Sequence, residues 1–172
     1  MAFNGDMTLH DLVAPYEFLL GEWVGHGHGH YPTIEDFHYR ETLTFTATEG
    51  KPFLTYAQKT TNHDGVPMHT EVGYLRPQEG GHIEFVIAQP TGQTELLEGT
   101  ATVNDDQSLT MVLGYSMVSN TTTAKHVEQT MRHYVFNTDR SAVYTEYDMA
   151  AEGEQMQQHL SSELHKAVPE VL

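Results

Sequence analysis

His26, His28 and His30 alternate with Gly25, Gly27 and Gly29 in GEWVGHGHGHYPTI, the stretch of this chain richest in potential chemistry. Residues two apart in an extended strand share a face, so the imidazoles fall on one side and the glycines on the other. Successive histidine Cα atoms on their side lie about 6.6 Å apart, near enough to share a metal if the rotamers converge. The other reading is the wet face of a half-buried strand, which requires no ligand. Glycine in a strand interior fills no volume, so three in register imply that a helix, another backbone or a flat ligand lies close to that face.

Two more histidines have suggestive neighbours. In PMHTEVGYLR, His69 shares a face with Glu71 and Gly73. Such a pair serves as an acid–base device, as an orienting hydrogen bond or as part of a polar cross-strand ladder, and its spacing leaves all three open. In MQQHLSSEL, His159 shares a face with Ser161, opposite Leu160, Ser162 and Leu164, and alternation does not say which face is interior. A neutral imidazole in an apolar pocket is a good iron or zinc ligand when an acceptor satisfies its second nitrogen. The chain has 12 histidines, however, and a surface or satisfied polar role is the commoner fate of any one of them. On the preceding strand Val143, Thr145, Tyr147 and Met149 share a face whose character suits a cavity wall.

Much other chemistry is excluded. The chain contains no cysteine, hence no disulfide, thiolate site or cysteine nucleophile. It has no G-x-S-x-G elbow, H-E-x-x-H helix or dinucleotide fingerprint, and Pro90–Gly92 reads as a tight turn rather than a phosphate loop. Acidic pairs such as Glu95/Glu98 and Glu152/Glu154 lack a glycosidase spacing and are expected to be solvated. With 24 acidic and 8 basic side chains the net charge is −16, and Arg40, Lys125, Arg132 and the other basic residues stand isolated, so a nucleic acid backbone would be repelled. The same field would not steer an anion inward. The amino-terminal residues carry no basic leader or long apolar run, so neither a signal peptide nor a membrane span is expected.

These residues have to be positioned by strands. A helix is expected over residues 9–20, short or broken at Pro15. Strands are expected over 23–31, 37–46, 53–60, 68–75, 82–88, 94–103, 109–116, 124–136, 142–149 and 154–164. Turn-prone pieces such as His63-Asp64-Gly65, Glu79-Gly80-Gly81 and Asn137-Thr138-Asp139 separate them. No helical segments link the strands as βαβ units would require, so an all-β antiparallel meander follows. Closing it into a barrel removes the exposed edges and leaves room for a ligand; a filled β-sandwich is the alternative.

Six pieces, in order, resemble the nitrobindin family: LLGEWVGHGHGHYPTI (19–34), GKPFLTYAQKT (50–60), PMHTEVGYLR (67–76), AQPTGQTELLEG (88–99), Ala124-Lys125 and MQQHLSSEL (156–164). The resemblance implies a single domain over residues 9–166. It implies a ten-stranded antiparallel barrel, lipocalin-like or fatty-acid-binding-protein-like, with haem b at one mouth. It places the axial iron ligand at His159 and the rest of the haem pocket at Thr33, Ile34, Met68, His69, Lys125 and Met149. The implied activity is conversion of peroxynitrite to nitrate at ferric iron, with reversible binding of nitric oxide. A non-enzymatic nitric-oxide or haem carrier, or a metal-free barrel for an apolar small molecule, are the competing readings. A cytoplasmic monomer or homodimer, with small molecules as its partners, is expected.

Overall fold

Pro15 decides the form of the first element. Proline lacks the amide hydrogen and disfavours the helical conformation in its predecessor, so a regular α-helix cannot run through it. In the computed structural model, which describes residues 7–168, the helix expected over residues 9–20, short or broken at Pro15, is a single 3₁₀ helix, Ala14–Leu19. Ten strands follow: β1 (Gly21–Tyr31), β2 (Ile34–Ala47), β3 (Leu54–Thr61), β4 (Pro67–Pro77), β5 (His82–Ala88), β6 (Gln93–Val103), β7 (Leu109–Asn120), β8 (Val127–Phe136), β9 (Ala142–Ala151) and β10 (Gln157–Lys166).

Each strand is hydrogen-bonded antiparallel to the next, and β10 returns to β1 to close the barrel. The closing register runs from Trp23 opposite Lys166 to Gly29 opposite Leu160. Closure satisfies the edges that an open meander would expose. Three strand starts differ from the sequence expectation by three residues: β2 begins earlier, at Ile34, and β8 and β10 begin later. Residues ahead of β8 turn instead, and the Asn120 side chain bonds both the N–H and the C=O of Val127, at 3.1 and 2.9 Å. Ahead of β10, Glu152 and Gly153 adopt φ of 54° and 81°, which closes a tight turn in which Glu154 N–H donates to the Ala151 carbonyl at 2.9 Å.

One half of the barrel is filled. Trp23, Tyr56, Phe85, Leu97, Leu113 and Leu164 are buried in one cluster with Val13, Tyr16 and Leu19 from the amino-terminal segment. The Trp23 indole donates to the Leu19 carbonyl at 3.0 Å, and Phe18 and Trp23 both meet the Phe136 ring edge-on, at 5.1 and 5.4 Å. The 3₁₀ helix is therefore a plug over one end. At the other end only a small cluster, Tyr31, Val127 and Ala151 with Val118 and Met149 against it, lines the wall. Among the described residues no helix is long and apolar enough to cross a membrane.

Candidate functional site

The alternation in β1 sets one wall of the open half. Trp23, Gly27, Gly29 and Tyr31 are buried and face inward, while His26 is exposed and His28 and His30 are half-buried on the outside. His28 lies against both His30 and His38, with ring centroids 5.7 and 4.9 Å away. The inward glycines are covered by aromatic side chains of β2: a methyl at Gly27 would overlap the Tyr39 ring, and one at Gly29 the Phe37 ring. Of the helix, backbone or flat ligand expected against the glycines, backbone is found at Gly25, against Glu163, while aromatic side chains take that place at Gly27 and Gly29.

A cavity of about 440 Å³ occupies the open half, within the range typical of small-molecule sites. Thr33 and Ile34 at the β1–β2 turn, Met68 and His69 on β4, Lys125 before β8, Met149 on β9 and His159 on β10 all line it. The sequence-predicted residues thus converge on one space. Tyr31, Phe37, Val127 and Tyr147 complete much of its apolar wall.

His159 enters this space through an irregularity. On β10, Ser162 and Leu164 are buried and Leu160 lines the cavity, so strict alternation would put His159 outside. The register with β9 shifts between Gln158, opposite Asp148, and Leu160, opposite Tyr147, which leaves His159 as the surplus residue of a β-bulge. A bulge bends the strand and re-aims its extra side chain, and here neighbours 159 and 160 both face inward. The His159 Nδ1 lies 2.9 Å from the His30 carbonyl oxygen. A carbonyl only accepts, so Nδ1 carries the hydrogen and Nε2 keeps its lone pair. Burial pushes the ring's pKa below its ordinary value, against the raising effect of that hydrogen bond, and keeps the imidazole neutral. The rings of Tyr31, Tyr147 and Phe37 surround it at 5.4, 6.2 and 6.3 Å.

Below the cavity lies a polar layer. Arg132 on β8 holds Glu71 with two bonds, 3.0 and 2.8 Å, and Glu95 with two more, 2.6 and 3.3 Å, while its guanidinium stacks on Tyr147 at 4.6 Å. Thr130 donates to Glu95 at 2.7 Å and Tyr56 to Glu71 at 3.2 Å. Burial opposes the Glu71 charge, but Arg132 and His69 outweigh it and hold the carboxyl at about 2. His69 Nε2 sits 3.5 Å from Glu71, so this pair connects the cavity wall to the ionic layer rather than forming an external ladder. Glu41, bonded by Gln58 at 2.9 Å and by Ser162, has no ion-pair partner among the described residues, and burial pushes its pKa up. The side-chain carbonyls of Gln58 and Gln93, both on the cavity wall, have no protein partner among the described residues.

Sequence reasoning missed this layer. Glu95 was expected in solvent and is fully buried, because Arg132 supplies its counter-charge. Only parity carried a signal: Arg132 falls in step with the buried Thr130, Tyr134 and Phe136, and Glu95 with Gln93 and Leu97. Charged residues on an inward stripe announce a buried ion pair.

Comparison with known proteins adds an independent observation. The family described as THAP4-like, heme-binding beta-barrel domain matches residues 12–166. A Nocardia farcinica protein named Peroxynitrite isomerase is 41% identical over 161 residues, which cover 93% of this chain and 94% of that one. An Arabidopsis thaliana protein, also named as a peroxynitrite isomerase, is 45% identical over 122 residues, 70% of this chain and 71% of its own. The crystal structure of Rv2717c from M. tuberculosis superposes with a TM-score of 0.87 at 38% identity, over 93% of this chain and 99% of that one.

Proposed function

The chain belongs to the nitrobindin family of THAP4-like, heme-binding beta-barrel domains, and from that premise we propose that it is a ferric haem b protein that isomerises peroxynitrite to nitrate and reversibly binds nitric oxide. The observation that carries this reading is His159: a half-buried, neutral imidazole with Nδ1 engaged and Nε2 without a partner among the described residues, on the wall of an otherwise largely apolar cavity. A bare structural metal ion needs about four ligands, whereas haem iron needs one from the protein. Among the described residues no group of three or more His, Asp or Glu is arranged around a common point, and the donor set therefore suits haem.

Bound ferric haem would supply a Lewis acid toward an oxygen of peroxynitrite for its rearrangement to nitrate, an isomerisation with no net gain or loss of atoms or electrons. The protein's own residues do the rest. His159 Nε2 would hold the iron, and the His30 carbonyl, by accepting a hydrogen bond from Nδ1–H, would make the ring a stronger donor. Phe37, Val127 and Met149 give the cavity an apolar wall, with Ile34 and Met68 exposed beside them, and would limit water around a bound haem. Lys125 is a cation on the wall, which also carries Glu152 and the Arg132-paired Glu71, and it would supply a local positive group against a net charge of −16 that repels anions at long range.

Absorption spectroscopy of the protein titrated with haemin tests the cofactor assignment. Stoichiometric uptake with a five-coordinate ferric spectrum is expected, and His159→Ala should lose that spectrum while keeping the β-sheet circular dichroism. Unchanged haem affinity and spectrum in H159A would overturn the ligand. Stopped-flow decay of peroxynitrite, with nitrate quantified, tests the activity. Equal decay with and without haem would leave a nitric-oxide or haem carrier as the function.

A further inference from the structure

Tyr31 is bonded in a way that its place at the end of β1 does not require. Its hydroxyl accepts from the Ala151 N–H at 3.0 Å and donates to the Met149 carbonyl at 3.3 Å, with the Ala151 carbonyl at 3.4 Å. Both partners belong to β9, and β10 lies between β9 and β1 in the barrel. The side chain therefore spans behind β10 at the height of the bulge that presents His159. Its ring meets the imidazole edge-on, 5.4 Å between centroids at 71°, and only 5% of the residue is exposed.

The carbonyl that accepts from His159 is that of His30, one half of the His30–Tyr31 peptide group. A peptide group is planar, so the direction of that C=O is set by where Tyr31 is held. Pairing between β1 and β10 has already ended at Gly29 opposite Leu160, so no further ladder bond on that side fixes it. From this geometry we infer that Tyr31 is the positioning residue for His159: its hydroxyl, clamped to the end of β9, orients the His30 carbonyl and thereby locks the imidazole as the Nδ1–H tautomer with Nε2 aimed into the cavity. The inference rests on the reading of His159 as the haem ligand for its functional meaning, but the tautomer is a property of the haem-free protein.

Tyr31→Phe keeps the ring and removes only the clamp. It leaves the Ala151 N–H, in a residue 2% exposed, without its acceptor, so the end of β9 and the His30–Tyr31 peptide relax together. In ¹⁵N-labelled haem-free protein, long-range ¹H–¹⁵N correlation of the imidazoles reads the His159 tautomer directly. Wild type should be a single Nδ1–H form and Y31F a mixture. In the haemin-loaded protein the iron–histidine stretching band of the reduced form should shift and broaden in Y31F, and haem transfer to apomyoglobin should accelerate about tenfold, the usual lower effect of losing a group that orients a metal ligand.

Val118→Ala is the control. It thins the same small apolar cluster without touching the hydroxyl, so it should lower the melting temperature and leave the tautomer and the band unchanged. A wild-type protein with mixed His159 tautomers, or a Y31F variant with the wild-type tautomer and band whatever its melting temperature, would overturn the inference. If wild type takes up no haemin, the haem reading fails separately, and the tautomer comparison still decides on Tyr31.

Discussion

His159 donates through Nδ1 to the His30 carbonyl at 2.9 Å, across the seam where β10 and β1 close the barrel. The imidazole takes the position along the seam that follows the last paired residues, Gly29 and Leu160. The hydrogen bond that orients the imidazole thus lies on the seam that closes the barrel. If the ring alone is what the proposed haem site loses on truncation, free imidazole should restore it. His159→Gly with millimolar imidazole is expected to recover most of the wild-type haem spectrum; no recovery would mean that the substitution had damaged the cavity itself.

Gly25 and Gly29 should respond differently to alanine. A methyl at Gly25 would overlap the backbone carbonyl of Glu163, which cannot move without opening the β1–β10 seam, whereas one at Gly29 would overlap the Phe37 ring, which can swing into the cavity. We expect G25A to lose about 3 kcal/mol or more in urea denaturation and G29A about 1–2 kcal/mol. The order should reverse for haemin affinity, measured by titration, with G29A the weaker binder.

Arg132 is the keystone of the polar layer. Arg132→Met would leave Glu71 and Glu95 buried without a cation, which costs about 3–5 kcal/mol. Adding Glu71→Gln and Glu95→Gln should recover much of that loss, because the neutral side chains no longer need it. Denaturation of the single and triple variants measures the coupling; additive losses would mean that the three residues do not act as one network.

The same layer sets an acid limit. Arg132 holds Glu71 at about 2, down from its ordinary 4.5, so the stability it contributes is complete above pH 4.5 and lost as pH falls toward 2. Urea midpoints across this range should fall more steeply for wild type than for Glu71→Gln. Glu41 runs the other way: burial raises its pKa, so the fold favours its acid form and loses stability as pH rises from 4.5 through the raised value. Glu41→Gln should remove that decline.

The order and number of strands were legible in the sequence because turns are local: Gly, Asn, Asp and Pro act within four residues, and ten apolar runs lay between them. The β1 faces were legible too, since alternation needs no knowledge of neighbours. Pro15 announced a broken helix but not the plug it became, which depends on Trp23 and Phe136 meeting it from two strands. The ionic layer was hidden because Arg132 reaches partners 61 and 37 residues away, a pairing made by barrel closure alone. His159 marks the boundary most sharply. Its identity came from a resemblance, and alternation left its face open; with Ser162 and Leu164 buried, strict alternation would have turned it outward with Ser161, and a one-residue shift of register against β9 turned it inward. Side-chain direction in a strand has period two, so a single surplus residue reverses it, and whether a strand carries one is decided by the neighbour with which it pairs.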